Sequence, residues 1–126
     1  MTVNFTIQGK LAGLNDYTKA CRCNRYVGAR MKEENERKVL CAVMQSPSRN
    51  TKLTGKVVIN YRWYESNKRR DLDNIAFAKK FIQDALVEYG VLQGDGWRHI
   101  VGFNDMFYVD KDNPRIEVEI SEVENE

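Results

Sequence analysis

The run VVINYRWY, residues 57 to 64, constrains the fold more than any other part of this sequence. β-Branched and aromatic side chains fill it, and this composition favours a central β-strand. A polar segment follows, and from Asp73 to Tyr89 apolar residues recur every three or four positions, which predicts a helix with Gly90 just after its end. A strand that leads directly into an amphipathic helix indicates helices packed against a sheet.

Three more strands and one more helical stretch complete the predicted order. Residues 15 to 45 have a helical pattern, with Gly28 as the expected break. Residues 110 to 114 are predicted to form a hairpin loop between the last two strands. Alternation predicts the three further strands at residues 3–8, 100–109 and 115–120. The expected fold is α/β (α+β) in the order β-α-β-α-β-β, with one mixed sheet packed by two helices, in a single domain spanning residues 1–126.

The amino-acid composition indicates the cellular compartment of this protein, but it says little about the function. The chain has 20 Lys and Arg against 18 Asp and Glu, and this balance does not by itself indicate a nucleic-acid-binding protein. No run approaches the roughly 18 apolar residues of a membrane span, and no signal peptide is evident. The three cysteines and the single His99 make a poor zinc set, so we expect buried or idle thiols. We therefore predict a reduced, cytoplasmic protein that does not associate with membranes.

Asp71 and Asp73 are the strongest candidates for chemistry. If the segment is extended, residues two apart point to one side, and two close carboxylates repel unless a cation lies between them. Mg²⁺ is the expected cation, because it prefers oxygen ligands from carboxylates, water and phosphate. A structural alternative stays open: Asp73 caps the following helix, and Asp71 pairs with Arg69 or Arg70.

Further charged residues flank this pair or follow it. Lys68, Arg69 and Arg70 form either a phosphate clamp or a solubilising turn. Lys80 lies in line with Asp73 on a continuous helix, although it can equally pair with Asp84 four residues on.

Asp95, between Gly94 and Gly96, is a third acid in what is otherwise a plain turn. The preceding helix of about 16 residues spans some 24 Å, so the chain would have to return along a strand to bring this acid to Asp71.

Several common site types are excluded by spacing. A calcium-binding EF-hand loop beginning at Asp71 would need a glycine where Ala76 stands and a glutamate where Ile82 stands. The sequence has no G-x-x-x-x-G-K-[ST] phosphate loop. His99 lacks any recognisable nucleophile context for Ser-His catalysis.

Phe77 and Phe81 lie away from the main apolar stripe of the second helix. A helix that is apolar on two sides needs covering twice, once by the sheet and once by the first helix or by another subunit. We predict that this second side contributes to a homodimer interface.

The motif RRDLDN, followed by a helix with a lysine and DAL and then by LQGDGW, resembles the RusA family of Holliday junction resolvases. These are small, prophage-associated endonucleases. The resemblance extends over residues 57 to 120 and is weaker over residues 1 to 50. It implies a small α/β protomer that works as a homodimer with Mg²⁺ and cuts four-way DNA junctions by paired symmetric nicks.

The same resemblance assigns roles to individual residues. It implies that Asp71, Asp73 and Asp95 bind the metal and act in catalysis, together with Lys80, while Lys68, Arg69 and Arg70 bind DNA. This chain has three more residues between DLDN and the lysine than the best-studied member of the family, and Gly94 replaces a second acid that some members carry. The alternative function is a non-catalytic nucleic-acid-binding accessory protein that retains the fold.

Overall fold

The computed structural model describes residues 1–123 as four strands and four helices. The elements are β1 (Thr2–Gln8), α1 (Leu14–Cys23), α2 (Arg25–Met44), β2 (Val57–Glu65), α3 (Leu72–Ala76), α4 (Lys79–Glu88), β3 (Ile100–Val109) and β4 (Arg115–Glu122). The predicted strands are all present, and the two predicted helical stretches are each divided in two. Among the described residues, no helix combines the length and the apolar character needed to cross a bilayer.

The four strands form one sheet in the order β1-β4-β2-β3. β3 runs parallel to β2, whereas β4 is antiparallel to both β1 and β2. The prediction of a mixed sheet packed by helices is therefore confirmed. Val57 faces Ile100 and Val58 faces Gly102, so Val101 forms a bulge near the start of β3.

The loop at residues 110–114 is not a hairpin, contrary to the prediction, because β4 does not pair with β3. Turn residues determine where the chain reverses, but burial decides which strands become neighbours. The alternate side chains Ile116, Val118 and Ile120 are almost completely buried, which suits a strand inside the sheet. β3 keeps large side chains exposed and lies at the edge.

The helices cover one face of the sheet, and the other face is polar. Alternate residues of the inner strands point toward the helices and are buried, the largest being Trp63 and Tyr61. Burying one large apolar side chain contributes roughly 1.5–3 kcal/mol, so this one-sided layer supplies most of the stabilisation.

The first helical stretch breaks at Asn24 and not at Gly28. The Asn24 side chain accepts hydrogen bonds from the backbone N–H groups of Tyr26 and Val27, so it caps the N-terminus of α2. Gly28 is buried inside α2, where a Cβ would come within 2.7 Å of the Cys21 sulfur. The glycine therefore permits close packing of the two helices. The three cysteines are free and exposed rather than buried.

The second helical stretch is interrupted at Phe77 and Ala78, where tighter i to i−3 hydrogen bonds connect α3 to α4. Phe81 is fully buried and packs edge-to-face on Tyr17 of α1, as well as on Phe77. The first helix therefore covers the second apolar side. The prediction that this side forms a subunit interface is wrong, because Tyr17 already occupies it within one protomer.

Candidate functional site at the start of α3

Asp71 and Asp73 lie where the chain passes from the end of β2 into α3. Asp71 occupies the N-cap position with extended backbone, but its side chain accepts no capping hydrogen bond. Asp73 is the second residue of α3, so the prediction that it caps the helix is wrong; its Oδ1 accepts a hydrogen bond from the N–H of Asn74. Both side chains are exposed, and neither forms an ion pair with any residue in 1–123.

Arg70 has a different partner from the one the structural alternative required. Its Nε and Nη2 each donate to a Glu65 carboxylate oxygen at 2.9 Å, and its Nη1 donates to the carbonyl oxygen of Leu11. The Glu65 side chain is 7% exposed, so this bidentate pair is largely shielded from water. The Arg70 guanidinium therefore binds Glu65 at the end of β2. Because of this, it does not serve as the counter-ion of Asp71.

Asn74 attaches this junction to the first helix. Its Oδ1 accepts a hydrogen bond at 2.9 Å from the backbone N–H of Asn15, in the first turn of α1. A Cβ at Gly13 would lie 2.5 Å from the same oxygen and 3.0 Å from an Arg70 nitrogen, so glycine is required for this approach. The asparagine of the DLDN motif therefore has a structural role that the sequence analysis missed.

A groove of about 590 Å³ borders Asp71, the first acid of the pair. Asp71 and Leu72 line one side, and Phe107 to Val109 of β3 line the other. Lys68 also lines the groove. Lys68 and Arg69 are both exposed, and neither forms an ion pair within residues 1–123. The carboxylate of Asp71, the exposed cation of Lys68 and the end of an edge strand thus share one concave surface.

Asp95 lies at the opposite end of the sheet from Asp71 and Asp73. It precedes β3, whose start is tied to the start of β2 by a hydrogen bond from Val57 N–H to His99 O. β2 has nine residues, so at about 3.3 Å per residue its two ends are roughly 27 Å apart. Within residues 1–123, no three His, Cys, Asp or Glu side chains converge closely enough to hold a metal ion.

The expected convergence of the three acids within one protomer is therefore wrong. The reason is the parallel pairing of β2 with β3, since the intervening helices must carry the chain back to the starting end of the sheet. The roles of the individual aspartates in metal binding and catalysis remain predictions.

The two lysines of α4, Lys79 and Lys80, pair with different acids. Lys80 is about half exposed and pairs with Asp84 at 3.5 Å, and the interruption before α4 removes its expected alignment with Asp73. Its catalytic role remains a prediction. Lys79 instead lies over the sheet, with its Nζ 2.7 Å from Asp105 Oδ2 on β3 and 4.9 Å from the centre of the Phe103 ring.

Asp105 also accepts a hydrogen bond from Trp63 Nε1. Beside it, burial raises the pKa of Tyr61, whose hydroxyl oxygen accepts a hydrogen bond from Gln83. The sequence contained no signal for this Lys79–Asp105 pair, because its two members are 26 positions apart and meet only through the β2–β3 pairing.

Residues 16–121 match the family described as endodeoxyribonuclease RusA. This range contains the acid pair, the flanking cations, α2, α3, α4, β2 and β3, together with all but the outer ends of α1 and β4. A comparison with curated proteins finds no match.

Proposed function

Because the chain belongs to the endodeoxyribonuclease RusA family, whose members are Holliday junction-resolving endonucleases, we propose that it resolves four-way DNA junctions by paired, Mg²⁺-dependent nicks. The observation that carries the proposal is the pair of exposed carboxylates, Asp71 and Asp73, which have no cation partner within residues 1–123 and lie beside exposed Lys68 and Arg69. Carboxylates without a counter-ion repel a polyanion unless a metal ion joins them to it.

The donor chemistry fits Mg²⁺. Asp71 and Asp73 supply hard oxygen ligands, and Mg²⁺ is usually held by one or two carboxylates together with water and substrate phosphate. When bound, such an ion supplies an activated water and charge stabilisation for phosphodiester hydrolysis. Lys68 and Arg69 would hold the DNA backbone next to the acids, whereas Arg70 would act indirectly by fixing the end of β2 through Glu65.

The exposed edge of β3 is the surface that we propose for the homodimer. β3 pairs with β2 on one side and has no strand on its other side among the described residues. It contains no Lys, Arg or Pro, and its one charge, Asp105, is neutralised by Lys79. Edge strands are normally protected by charges or proline, so an unprotected edge favours pairing with a second copy. Its large exposed apolar side chains are Val101, Phe103, Met106, Tyr108 and Val109.

Antiparallel pairing of two β3 strands about a two-fold axis would also complete the acid site. The start of β3, next to Asp95, would lie beside the end of the other copy's β3, which borders the groove of Asp71. Each site would then combine Asp71 and Asp73 from one copy with Asp95 from the other. Two such sites related by symmetry suit paired nicks across a junction, which is itself nearly two-fold symmetric.

Met106→Lys is expected to convert a dimer into a monomer and to abolish cleavage. Met106 is 57% exposed in the protomer, so lysine costs little within one chain. In the antiparallel pair its charge would lie opposite the partner's Phe103, and a lysine on an edge strand opposes pairing with another strand. Light scattering at micromolar concentration measures the mass. Met44→Lys, at a methionine of similar exposure on α2, is the matched control and should remain dimeric. A dimeric Met106→Lys protein would exclude this interface.

The activity itself is tested by incubating the protein with a synthetic four-way junction and with a linear duplex of the same arm sequence. We expect Mg²⁺ to produce symmetric nicks in the junction, and EDTA to prevent them. Binding without cleavage at any divalent metal concentration would instead favour a non-catalytic accessory protein. The cytoplasmic location of this protein remains a prediction from its composition.

A further inference from the structure

The corner between α1 and α2 concentrates positive charge. The segment from Tyr17 to Lys32 contains five of the chain's 20 Lys and Arg residues and none of its 18 Asp and Glu residues. Lys32 pairs with Glu36 and Asp84 and so belongs to the helix interface. The remaining four, Lys19, Arg22, Arg25 and Arg30, are here called the basic corner.

The basic corner is fully accessible. Its four cations are exposed and form no ion pair within residues 1–123, and every residue from Cys21 to Val27 is exposed. Tyr26 is 66% exposed at the same place, with the Arg25 guanidinium 5.1 Å from its ring centre. Exposed arginines beside an exposed aromatic ring can contact phosphates and the sugars or bases next to them.

The corner is also held in place by specific contacts. Asn24 caps α2, and Gly28 lets α2 approach Cys21 of α1 so closely that no side chain fits between them. Cations on such a preorganised support lose less side-chain and backbone freedom on binding than cations on a flexible loop. A purely solubilising charge cluster needs no such support.

α1 links the basic corner directly to the acid pair. Its first turn is held by Asn74, next to Asp73, and its last residue, Cys23, adjoins Asn24 at the corner. The helix has ten residues and is therefore about 15 Å long, which corresponds to roughly four base pairs of duplex at 3.4 Å each.

We infer that the basic corner binds the phosphate backbone of the DNA arm that leaves the acid site, about four base pairs from the cut. The inference rests on the proposed function, since it takes DNA as the ligand. It assigns to α1 and α2, where the sequence resemblance is weakest, the task of holding and orienting an arm. The charges of the corner would set the salt dependence of binding and would take no part in hydrolysis.

The test measures binding to a fluorescent 30-base-pair linear duplex in EDTA, so that neither cleavage nor junction structure affects it. Arg22→Gln combined with Arg25→Gln should lower the slope of log K against log salt by about two, because each lost phosphate contact removes about 0.9. Arg22→Lys with Arg25→Lys keeps the charge and should restore most of the slope. Arg37→Gln with Lys38→Gln removes the same charge elsewhere on α2, where both residues are exposed, and should change the slope much less.

An unchanged slope in the Arg22, Arg25 glutamine variant, or an equal fall in the Arg37, Lys38 control, overturns the inference. So does a wild-type protein that does not bind duplex at all. If the glutamine variant melts at a lower temperature than wild type, Lys19→Gln with Arg30→Gln repeats the test on the other two cations. A different result would contradict the proposed function and leave the inference about the basic corner standing: the wild-type protein binds a junction, but Mg²⁺ produces no nicks in it.

Discussion

Asp71→Asn and Asp73→Asn are each expected to lower the rate of junction cleavage by more than about 100-fold, because loss even of groups that merely orient metal ligands typically costs 10–100-fold. Asparagine keeps the size of each side chain, and both positions are exposed, so folding should be unaffected. Junction binding in EDTA should be retained or become tighter, because a negative charge facing phosphate is removed. Single-turnover cleavage and gel-shift binding measure the two effects separately.

Glu34→Gln provides the matched control, since it neutralises an exposed acid on α2 that is not part of the groove. It should cleave at the wild-type rate. If Asp71→Asn and Asp73→Asn lose binding and cleavage in equal measure, the two acids are structural and do not hold a metal ion.

Two inactive variants are expected to restore cleavage when they share a dimer. Asp95→Asn leaves Asp71 and Asp73 intact, and a doubly substituted Asp71→Asn, Asp73→Asn chain leaves Asp95 intact. If each site combines acids from two copies, a mixed dimer contains one complete site and one site that has lost all three. Random pairing makes about half of the dimers mixed, so nicking should recover to about a quarter of the wild-type rate.

The recovered activity should consist of single nicks, because each mixed dimer has one working site. Co-expression of the two chains with different affinity tags allows the mixed dimers to be purified and assayed. The control combines Asp71→Asn with Asp73→Asn, which damages the same half of every site, and should give no recovery. Inactive mixed dimers in the first experiment would exclude a site that is shared between the two copies. An Asp95→Asn protein that cleaves junctions by itself would exclude Asp95 from the site.

The sequence by itself determined the secondary structure and the candidate residues. Period-two alternation and 3.6-residue periodicity are local properties, so they located the four strands and the two helical stretches. The left-handed backbone at Gly90, with φ of +82°, was equally predictable, since glycine adopts it without strain at a helix end. The DLDN motif likewise identified the acid pair from residue types and spacing.

Local interruptions of the helices were predicted less well. Gly28 was read as a helix breaker because its low helix propensity is a property of the residue, whereas its close contact with Cys21 is a property of the packed pair. Asn24 was a visible capping residue, and its signal was available in the sequence. The break at Phe77 had no comparable marker.

Only the tertiary structure decided which distant residues meet. It paired Arg70 with Glu65, and thereby left Asp71 without that counter-ion. It covered Phe81 with Tyr17, so the helix no longer offers the expected interface, and it left the edge of β3 exposed. It separated Asp95 from the other two acids by the length of a strand. The physical reason is that strand order and direction depend on which side chains are buried across the whole sheet, and no local pattern records that choice.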